Sequence, residues 1–479
     1  MRVHQPGDHR SPRGLGNDGG GGDGASSTVG AGACADQQHD AEADHRDRQS
    51  GEQPGGAEGG SAGHGQDPAV RGEHDHSLRT GDGRARQRTC QARDVVPEDG
   101  ASVSPYEALL VVSFGGPEGP ADVLPFLRNV TAGRGVPDER LVQVAEHYQR
   151  FGGRSPINDQ NRALVTAIRA DLAVHGVDIG VYWGNRNWSP YLADTLRQLA
   201  ADGVRRAACF VTSAYASYSG CRQYREDLFA AVAAAGSSAP RLDKLRHYYN
   251  HPGFVAPFVD GTVAALGRLP ARDRGARLVF VTHAVPAAMA AASGRHAGSP
   301  EGGAYARQHA DLASTVTRLV GDRTGQAHEH DLVYCSRSGP ATAPWLEPDV
   351  SDHLEVLAAN GTPAVVVVPI GFVSDHMEVA YDLDTEARET ADRLGLRFER
   401  AATPGTHPRF VAMVRELLVE RAATEAGRHP SRPSCGGRQP SWDVCPTGCC
   451  ADPRANPDAA RPALCGEDSP DPRMAAPWR

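Results

Sequence analysis

The feature that most constrains this chain is an alternation, between residues 104 and 425, of short apolar runs with longer segments of helical periodicity. Each run is short and continuous, which is typical of strands buried on both faces of a parallel sheet. The runs cover residues 108–113, 181–183, 207–212, 278–282, 332–335 and 364–370. The amphipathic segments, predicted to be helices, cover residues 138–150, 160–175, 190–201, 222–235, 306–320, 377–394 and 408–422. This alternation predicts an α/β fold with parallel sheets and right-handed crossovers.

The two ends of the 479-residue chain have a different composition. Residues 1–103 contain no Phe, Trp or Tyr and are rich in Gly, Asp, His and Arg. Such a segment buries too little apolar surface to offset its ordering entropy, so we expect a disordered leader, or a start assigned too early in the reading frame. Residues 426–479 are rich in Pro and Cys and lack any helical or strand pattern, so we expect this tail to be disordered as well.

Composition also excludes several classes of protein. No apolar run reaches the ~18–20 residues that span a bilayer, and the N-terminus lacks the apolar core of a secretory signal. We therefore expect a cytoplasmic protein whose ten cysteines are thiols or metal ligands rather than disulfides. The formal net charge is −9 and residues 104–425 contain no basic block, so nucleic acid is not an expected partner.

Two of the predicted strands end at residues suited to chemistry. His283 follows the run at 278–282. The run at 364–370 precedes a predicted helix that carries three carboxylates along one face, at Glu378, Asp382 and Glu386. Ligands of open α/β sheets bind beyond the carboxyl ends of the strands, so a histidine and an acidic row there favour a path for a divalent cation. The alternative for His283 is a histidine hydrogen-bonded at a domain interface, and the alternative for the acidic row is a solvated helix face.

Six blocks of sequence carry a resemblance to a known family. They are SFGGPEGP (113–120), FGGRSPIN (151–158), TSAYASYSGCRQYRE (212–226), VFVTHAVP (279–286), YCSRSGP (334–340) and PIGFVSDHMEVAYDLD (369–384). Together, in this order, they resemble ferrochelatases, and most of all the actinobacterial-type enzymes that act on coproporphyrin III. The resemblance covers residues 106–424. It implies a chelatase-like fold of two similar Rossmann-like halves, 104–255 and 256–425, with parallel sheets and a porphyrin in the cleft between them.

The resemblance also implies an activity, the insertion of Fe²⁺ into coproporphyrin III to form coproheme in heme biosynthesis. Residue by residue, it makes His283 and Glu378 the catalytic, Fe²⁺-binding pair. It places Ser155 and Tyr224 against the porphyrin, and it makes Asp382 and Glu386 a relay for metal or protons. Two positions depart from the family: Phe114 stands where a Tyr could ligate product iron, and Ala284 replaces the usual Ser after the catalytic His.

The chemistry of metal insertion is consistent with these residue types. Two pyrrole protons must leave the ring, and a neutral imidazole is a base with a pKa near the working pH. Carboxylates are hard oxygen donors that hold Fe²⁺ without trapping it. Coproporphyrin carries four propionates, and the cationic candidates to bind them are Arg128, Arg134, Arg154 and Arg337.

Short cysteine spacing in the tail suggests a metal centre. Related ferrochelatases hold a [2Fe–2S] cluster with one internal and three C-terminal cysteines, and the set that matches here is Cys221, Cys445, Cys449 and Cys450. Within the tail Cys435 or Cys465 could substitute, and Cys209 could replace the internal ligand. Unligated cysteines in a disordered tail are the alternative.

Two other functions compete with this hypothesis. One is a chelatase for protoporphyrin IX or for another pair of tetrapyrrole and metal. The other is a non-catalytic porphyrin- or heme-binding protein that keeps the fold, although the presence of both His283 and Glu378 argues against it. The expected partners are coproporphyrin III, ferrous iron and other heme-pathway enzymes.

Overall fold

The computed structural model describes residues 102–133, 135–294, 303–338, 343–454 and 461–470. Nearly all of the predicted disordered leader, residues 1–103, therefore lies outside the described residues. No helix in the described part of the chain is both long and apolar enough to cross a membrane.

The first sheet has four parallel strands in the order β2-β1-β3-β4. Its strands are β1 (Ala108–Ser113), β2 (Gly180–Asn185), β3 (Arg206–Val211) and β4 (Arg241–Lys244). Its connecting helices are α1 (Val123–Val130), α2 (Asp138–Gln149), α3 (Ile157–Val174), α4 (Leu192–Ala201) and α5 (Gln223–Ala235). Every side chain of β1 is buried, as expected of a central strand covered on both faces.

The second sheet repeats this arrangement with the order β6-β5-β7-β8, again all parallel. Its strands are β5 (Arg277–His283), β6 (His330–Cys335), β7 (Ala364–Val368) and β8 (Arg397–Arg400). The remaining helices are α6 (Pro252–Arg268), α7 (Ala287–Ala291), α8 (Ala304–Thr324), α9 (Val350–Ala359), α10 (Arg388–Arg393) and α11 (Pro408–Glu425). In each half the first strand is flanked by the second and third, so the prediction of two similar parallel α/β halves is confirmed.

The six predicted strands are all present, while two further strands were not predicted. Both missed strands, β4 (RLDK) and β8 (RFER), are four residues long, polar and at the edge of a sheet. The predicted helix at 377–394 is present, and most of its first half is a π-helical segment, Val379–Ala387, that continues into α10. The last helix, α11, packs against α6 and against α3 of the first half.

The prediction of a disordered tail is wrong for residues 426–454 and 461–470, which pack onto the folded body. Four side chains show this clearly, since Cys435, Cys445, Leu464 and Cys465 are buried. The segment has almost no regular structure, and buried ion pairs hold it instead: Arg225 Nη2 lies 2.5 Å from Asp468 Oδ1. A prediction from apolar content misses such a segment because its anchors are charges and thiols.

Candidate active site

His283 and Glu378 meet at the carboxyl ends of two neighbouring strands. His283 is the last residue of β5, and Glu378 follows the loop that leaves β7 and immediately precedes the π-helical segment. His283 Nε2 lies 3.5 Å from Glu378 Oε1. A third side chain, His376, has its Nδ1 4.0 Å from Glu378 Oε2. The structure thus brings together the histidine and the carboxylate that the sequence selected.

The two groups stabilise each other's charge. Burial lowers the pKa of His283, but the charge of Glu378 and a hydrogen bond to it outweigh burial, so the pKa rises to about 9. Burial raises the pKa of Glu378, but the His283 cation outweighs it and the pKa falls to about 2. The resting pair at neutral pH is therefore an imidazolium facing a carboxylate. The other ring nitrogen, His283 Nδ1, bonds to the backbone carbonyl of Ala284.

The acidic row leads from this pair toward the surface. Asp382 is half-buried, and Glu386 is exposed. Burial raises the pKa of Asp382 to about 7, with the charges of Glu378 and Glu386 adding to the rise. The Ser336 hydroxyl donates a hydrogen bond to Asp382, which opposes this rise in pKa. Ser336 itself adopts a left-handed backbone with φ of 62°. Strained residues of this kind cluster at functional sites, and so do π-helical segments such as Val379–Ala387.

Helix α2 of the first half lies over the acidic row, which the sequence did not predict. The ring of His147 stacks on that of Tyr381, with 4.0 Å between the centroids. Burial raises the pKa of the Tyr148 phenol, and the charges of Glu378 and Asp382 raise it further. No periodicity in the sequence links α2 with a segment more than 200 residues away, so only the tertiary structure reveals this contact.

The two predicted porphyrin contacts both belong to the first half. Ser155 is 3% exposed, and its backbone N–H donates to the carbonyl of Pro117 at 2.9 Å, which ties the two Gly-rich loops together. Tyr224 is 4% exposed, and the guanidinium of Arg186 lies 4.5 Å from its ring centroid. The same guanidinium lies 5.7 Å from the ring of Phe114, which is among the few exposed large apolar side chains.

The arginines proposed to bind propionates are engaged with carboxylates. Arg128 pairs with Asp138 at 2.7 Å, and Arg154 pairs with Asp159 at 2.5 Å, both at the exposed surface. A looser contact of 3.8 Å joins Arg337 to Glu347. Arg134 lies outside the described residues. Arg186, which the sequence analysis overlooked, is the arginine that lies beside the predicted porphyrin contact Tyr224.

Comparison with known proteins identifies the chain's family. Residues 106–422 match the family model described as Ferrochelatase. The chain belongs to the ferrochelatase family.

Individual relatives cover most of this ferrochelatase chain. A protein of Streptomyces griseus subsp. griseus named coproporphyrin III ferrochelatase is 59% identical over 371 residues, 77% of this chain and 98% of its own. A protein of Frankia alni with the same name is 55% identical over 75% of this chain and 90% of its own. A protein of Rhodopirellula baltica named ferrochelatase is 46% identical over 73% of this chain and 95% of its own.

The cysteines of this ferrochelatase form a second group of interest. Cys221 Sγ lies 3.8 Å from Cys445 Sγ, and Cys449 Sγ lies 3.8 Å from Cys450 Sγ. All four are buried and share one cluster with Ala216. Cys450 adopts a left-handed backbone with φ of 58°, which is uncommon for a residue other than glycine. The alternative ligands lie elsewhere, since Cys435 packs in the central core cluster and Cys209 and Cys465 in the cluster around β1 and β3. Cys435 is disulfide-bonded, so the expectation of thiols or metal ligands rather than disulfides is wrong for this residue.

Positive charge surrounds this cysteine group. Hydrogen bonds from Cys221 and Cys449, and the charges of Arg225 and Lys244, hold the pKa of Cys445 well below its usual range. Within the part of the chain that the structure describes, Nη1 of the buried Arg225 has no hydrogen-bond partner, and neither has Nε2 of the buried His247. Among the described residues no three or more His, Cys, Asp and Glu side chains are arranged as a site for a single metal ion. The cysteine group is therefore four buried thiols in mutual contact, with cationic neighbours.

Proposed function

We propose that this chain inserts Fe²⁺ into coproporphyrin III and releases coproheme. The observation that carries the proposal is the approach of His283 Nε2 to Glu378 Oε1, 3.5 Å apart at the ends of two parallel strands. Membership of the ferrochelatase family supplies the reaction class. The names of the relatives from Streptomyces griseus subsp. griseus and Frankia alni, which specify coproporphyrin III, supply the porphyrin.

In this mechanism the pair accepts the pyrrole protons and receives the incoming iron. His283 must first lose the proton that Glu378 stabilises, because an imidazolium cannot act as a base. Asp382 is suited to take that proton, since burial brings its pKa to about 7 and it therefore exchanges protons near neutrality. Glu386 then connects Asp382 to solvent. In the other direction the same carboxylates pass Fe²⁺ inward, as hard oxygen donors.

We further propose that Ser155 and Tyr224 line the porphyrin site in the first half. With most of its surface buried and its ring under the guanidinium of Arg186, Tyr224 acts mainly by supporting Arg186. Arg186 in turn is paired with Asp227. The Arg186 side chain is only 5% exposed, so these contacts hold it in place as a buried positive charge beside Tyr224.

The cysteine group is proposed to hold a [2Fe–2S] cluster. In such a cluster each iron takes two thiolates, and sulfurs at about 2.3 Å from one metal lie about 3.8 Å apart in a tetrahedron. The Cys221–Cys445 and Cys449–Cys450 separations have this value. The unpartnered buried nitrogens of Arg225 and His247 fit an anionic group in the same place. Such a cluster would supply a redox-active centre that pins the tail to the body of the enzyme.

An anaerobic assay tests the choice of substrate. Purified protein is mixed with Fe²⁺ and either coproporphyrin III or protoporphyrin IX, and the visible bands of the free porphyrin are followed as the metallated spectrum appears. We expect conversion of coproporphyrin III with a higher kcat/KM than protoporphyrin IX. The reverse preference would reject coproporphyrin III as the substrate, and tight binding without conversion of either would favour a porphyrin-binding protein. A cytoplasmic location and contact with other heme-pathway enzymes stay predictions.

A further inference from the structure

A network of buried polar side chains lies directly behind the catalytic histidine. The Tyr305 hydroxyl donates to the backbone carbonyl of His283 at 2.8 Å, and it lies 3.0 Å from Thr282 Oγ1. Thr282 Oγ1 is in turn 2.9 Å from His309 Nε2. Thr282 is 1% exposed and His309 0%, so no solvent competes for these bonds. Tyr305, Thr282 and His309 belong neither to the pair that meets iron nor to the acidic row.

The directions of the hydrogen bonds follow from their partners. His309 Nδ1 lies 2.8 Å from the carbonyl of Tyr305, which can only accept, so this nitrogen carries the ring proton. Burial holds the pKa of His309 low, at about 3, so the ring is neutral and its Nε2 accepts from Thr282. The Tyr305 proton is directed to the His283 carbonyl. Both hydroxyl protons are then used, so the 3.0 Å contact between Tyr305 and Thr282 is not a further hydrogen bond. The Tyr305 ring is positioned instead by packing on His309, with 4.4 Å between the ring centroids.

A second tyrosine makes an equivalent hydrogen bond to the backbone that follows the neighbouring strand. The Tyr215 hydroxyl donates to the carbonyl of Ile370 at 2.7 Å, just after β7 and at the start of the loop that carries Glu378. The ring of Tyr215 stacks on that of His309, with 3.6 Å between centroids. His309 thus contacts both tyrosines, Tyr305, which bonds to the strand of His283, and Tyr215, which bonds to the backbone that leads to Glu378.

The backbone that Tyr305 holds also bears on the imidazole, because the methyl side chain of Ala284 offers the ring no hydrogen bond. The His283 ring instead bonds through Nδ1 to the Ala284 carbonyl, in the residue next to the one that Tyr305 holds. The orientation of the imidazole therefore depends on the backbone at 283 and 284, and hence on Tyr305.

We propose that Tyr305 and Tyr215 are positioning residues that fix His283 and Glu378 relative to each other by holding the carbonyls of His283 and Ile370. This inference rests on the proposed function, since it assigns the two tyrosines a role in iron insertion. A positioning role differs from a purely stabilising one in its effect on the rate, because misplacement of reacting groups by about 1 Å can lower the rate about 10²-fold.

The test compares three tyrosine-to-phenylalanine variants, each of which keeps the ring and loses one hydroxyl. Tyr305→Phe and Tyr215→Phe remove the hydrogen bonds to the carbonyls of His283 and Ile370. Tyr248→Phe is the matched control, because the Tyr248 hydroxyl is also buried and also donates to a strand carbonyl, that of Val211 at 2.9 Å. For each variant, kcat and KM for coproporphyrin III with Fe²⁺, porphyrin affinity by fluorescence, and Tm are measured.

We expect kcat to fall about tenfold in Tyr305→Phe and Tyr215→Phe, by analogy with misplaced reacting groups, while KM and porphyrin affinity stay within about twofold. Tyr248→Phe should lower Tm by a similar amount and leave kcat within about twofold. Should Tyr305→Phe fail to fold, Tyr215→Phe carries the same test. Wild-type kcat in the folded variants, or an equal loss in Tyr248→Phe, would overturn the positioning role. If the wild-type protein itself does not insert iron, that result would overturn the proposed function, and the positioning role with it.

Discussion

Gly371 packs against Thr282 so closely that a Cβ added to it would lie 2.2 Å from Thr282 Oγ1. The contact joins the end of β5, which carries His283, to the residue that follows Ile370 after β7. The separation of the two strand ends is therefore set by the absence of a side chain at Gly371, and the separation of His283 from Glu378 follows from it.

A methyl group at Gly371 should consequently disturb both stability and catalysis. We expect Gly371→Ala to destabilise the protein by ~1–3 kcal/mol, as overpacking does, and to lower the rate of iron insertion as the two strand ends move apart. Denaturant unfolding and the porphyrin assay measure the two effects. Gly267→Ala, within α6 and with no neighbouring atom within 4 Å of the added Cβ, should leave the rate unchanged and stability equal or higher. Wild-type stability and rate in Gly371→Ala would contradict the packing argument.

The ionisation of His283 depends on its carboxylate partner. Its pKa of about 9 is raised by Glu378 against the effect of burial, so Glu378→Gln should let the pKa fall to the ordinary value of 6.5 or below. A titration of ¹⁵N-histidine-labelled protein by NMR follows the ring directly and needs no activity. In the wild type the imidazolium should persist to about pH 9, whereas in the variant it should deprotonate at least two pH units lower. An unchanged titration would show that the two side chains are not coupled.

The Ser336 hydroxyl should tune the proton acceptor next in the row. Its hydrogen bond favours the ionised form of Asp382, whose pKa burial has raised to about 7. Ser336→Gly removes the hydroxyl and keeps the left-handed backbone, for which glycine is suited. The pKa of Asp382 should then rise further, and the limb of the pH–kcat profile that reports Asp382 should move to higher pH. A profile that stays in place would remove Asp382 from the proton path.

The cysteine group predicts a visible chromophore that depends on particular thiols. Anaerobically purified wild-type protein should contain iron and acid-labile sulfide in a ratio of about one to one, as expected of a [2Fe–2S] centre, and Cys450→Ala should lose both. Cys209→Ala is the matched control, since Cys209 is equally buried but packs in a different cluster. Loss of the chromophore in Cys209→Ala, or its retention in Cys450→Ala, would contradict the assignment of ligands.

The sequence was sufficient for the parts of the molecule that depend on periodicity and on strand ends. Continuous apolar runs located the six longer or more apolar strands, and the rule that ligands lie beyond strand ends pointed to His283 and to the acidic row that begins at Glu378. The resemblance to ferrochelatases then singled out His283 and Glu378 as the pair. The sequence was not sufficient to predict β4 and β8, because a short polar edge strand is defined by the neighbour with which it pairs. The contact of His147 with Tyr381 also depends on how the two halves meet, which no local pattern encodes.

The tail shows a different limit of sequence analysis. Low apolar content correctly predicted the near absence of regular structure over residues 426–454 and 461–470, but it did not predict their order. Arg225 and Arg222 hold Asp468, and buried thiols fill the contact, so a few specific interactions replace an apolar core. The same consideration applies to Tyr305 and His309, whose role depends on hydrogen bonds across 22 and 27 residues of sequence.

The central claim, that His283 facing Glu378 inserts iron into a porphyrin, is tested most directly by His283→Ala. Fe²⁺ insertion into coproporphyrin III is measured anaerobically beside porphyrin affinity, with His175→Ala, at the residue that follows α3, as the control. We predict that the rate falls by about 10²–10⁴-fold, the range for loss of a general base, while porphyrin affinity stays near that of the wild type. A His283→Ala protein that binds the porphyrin and metallates it at the wild-type rate would contradict the account.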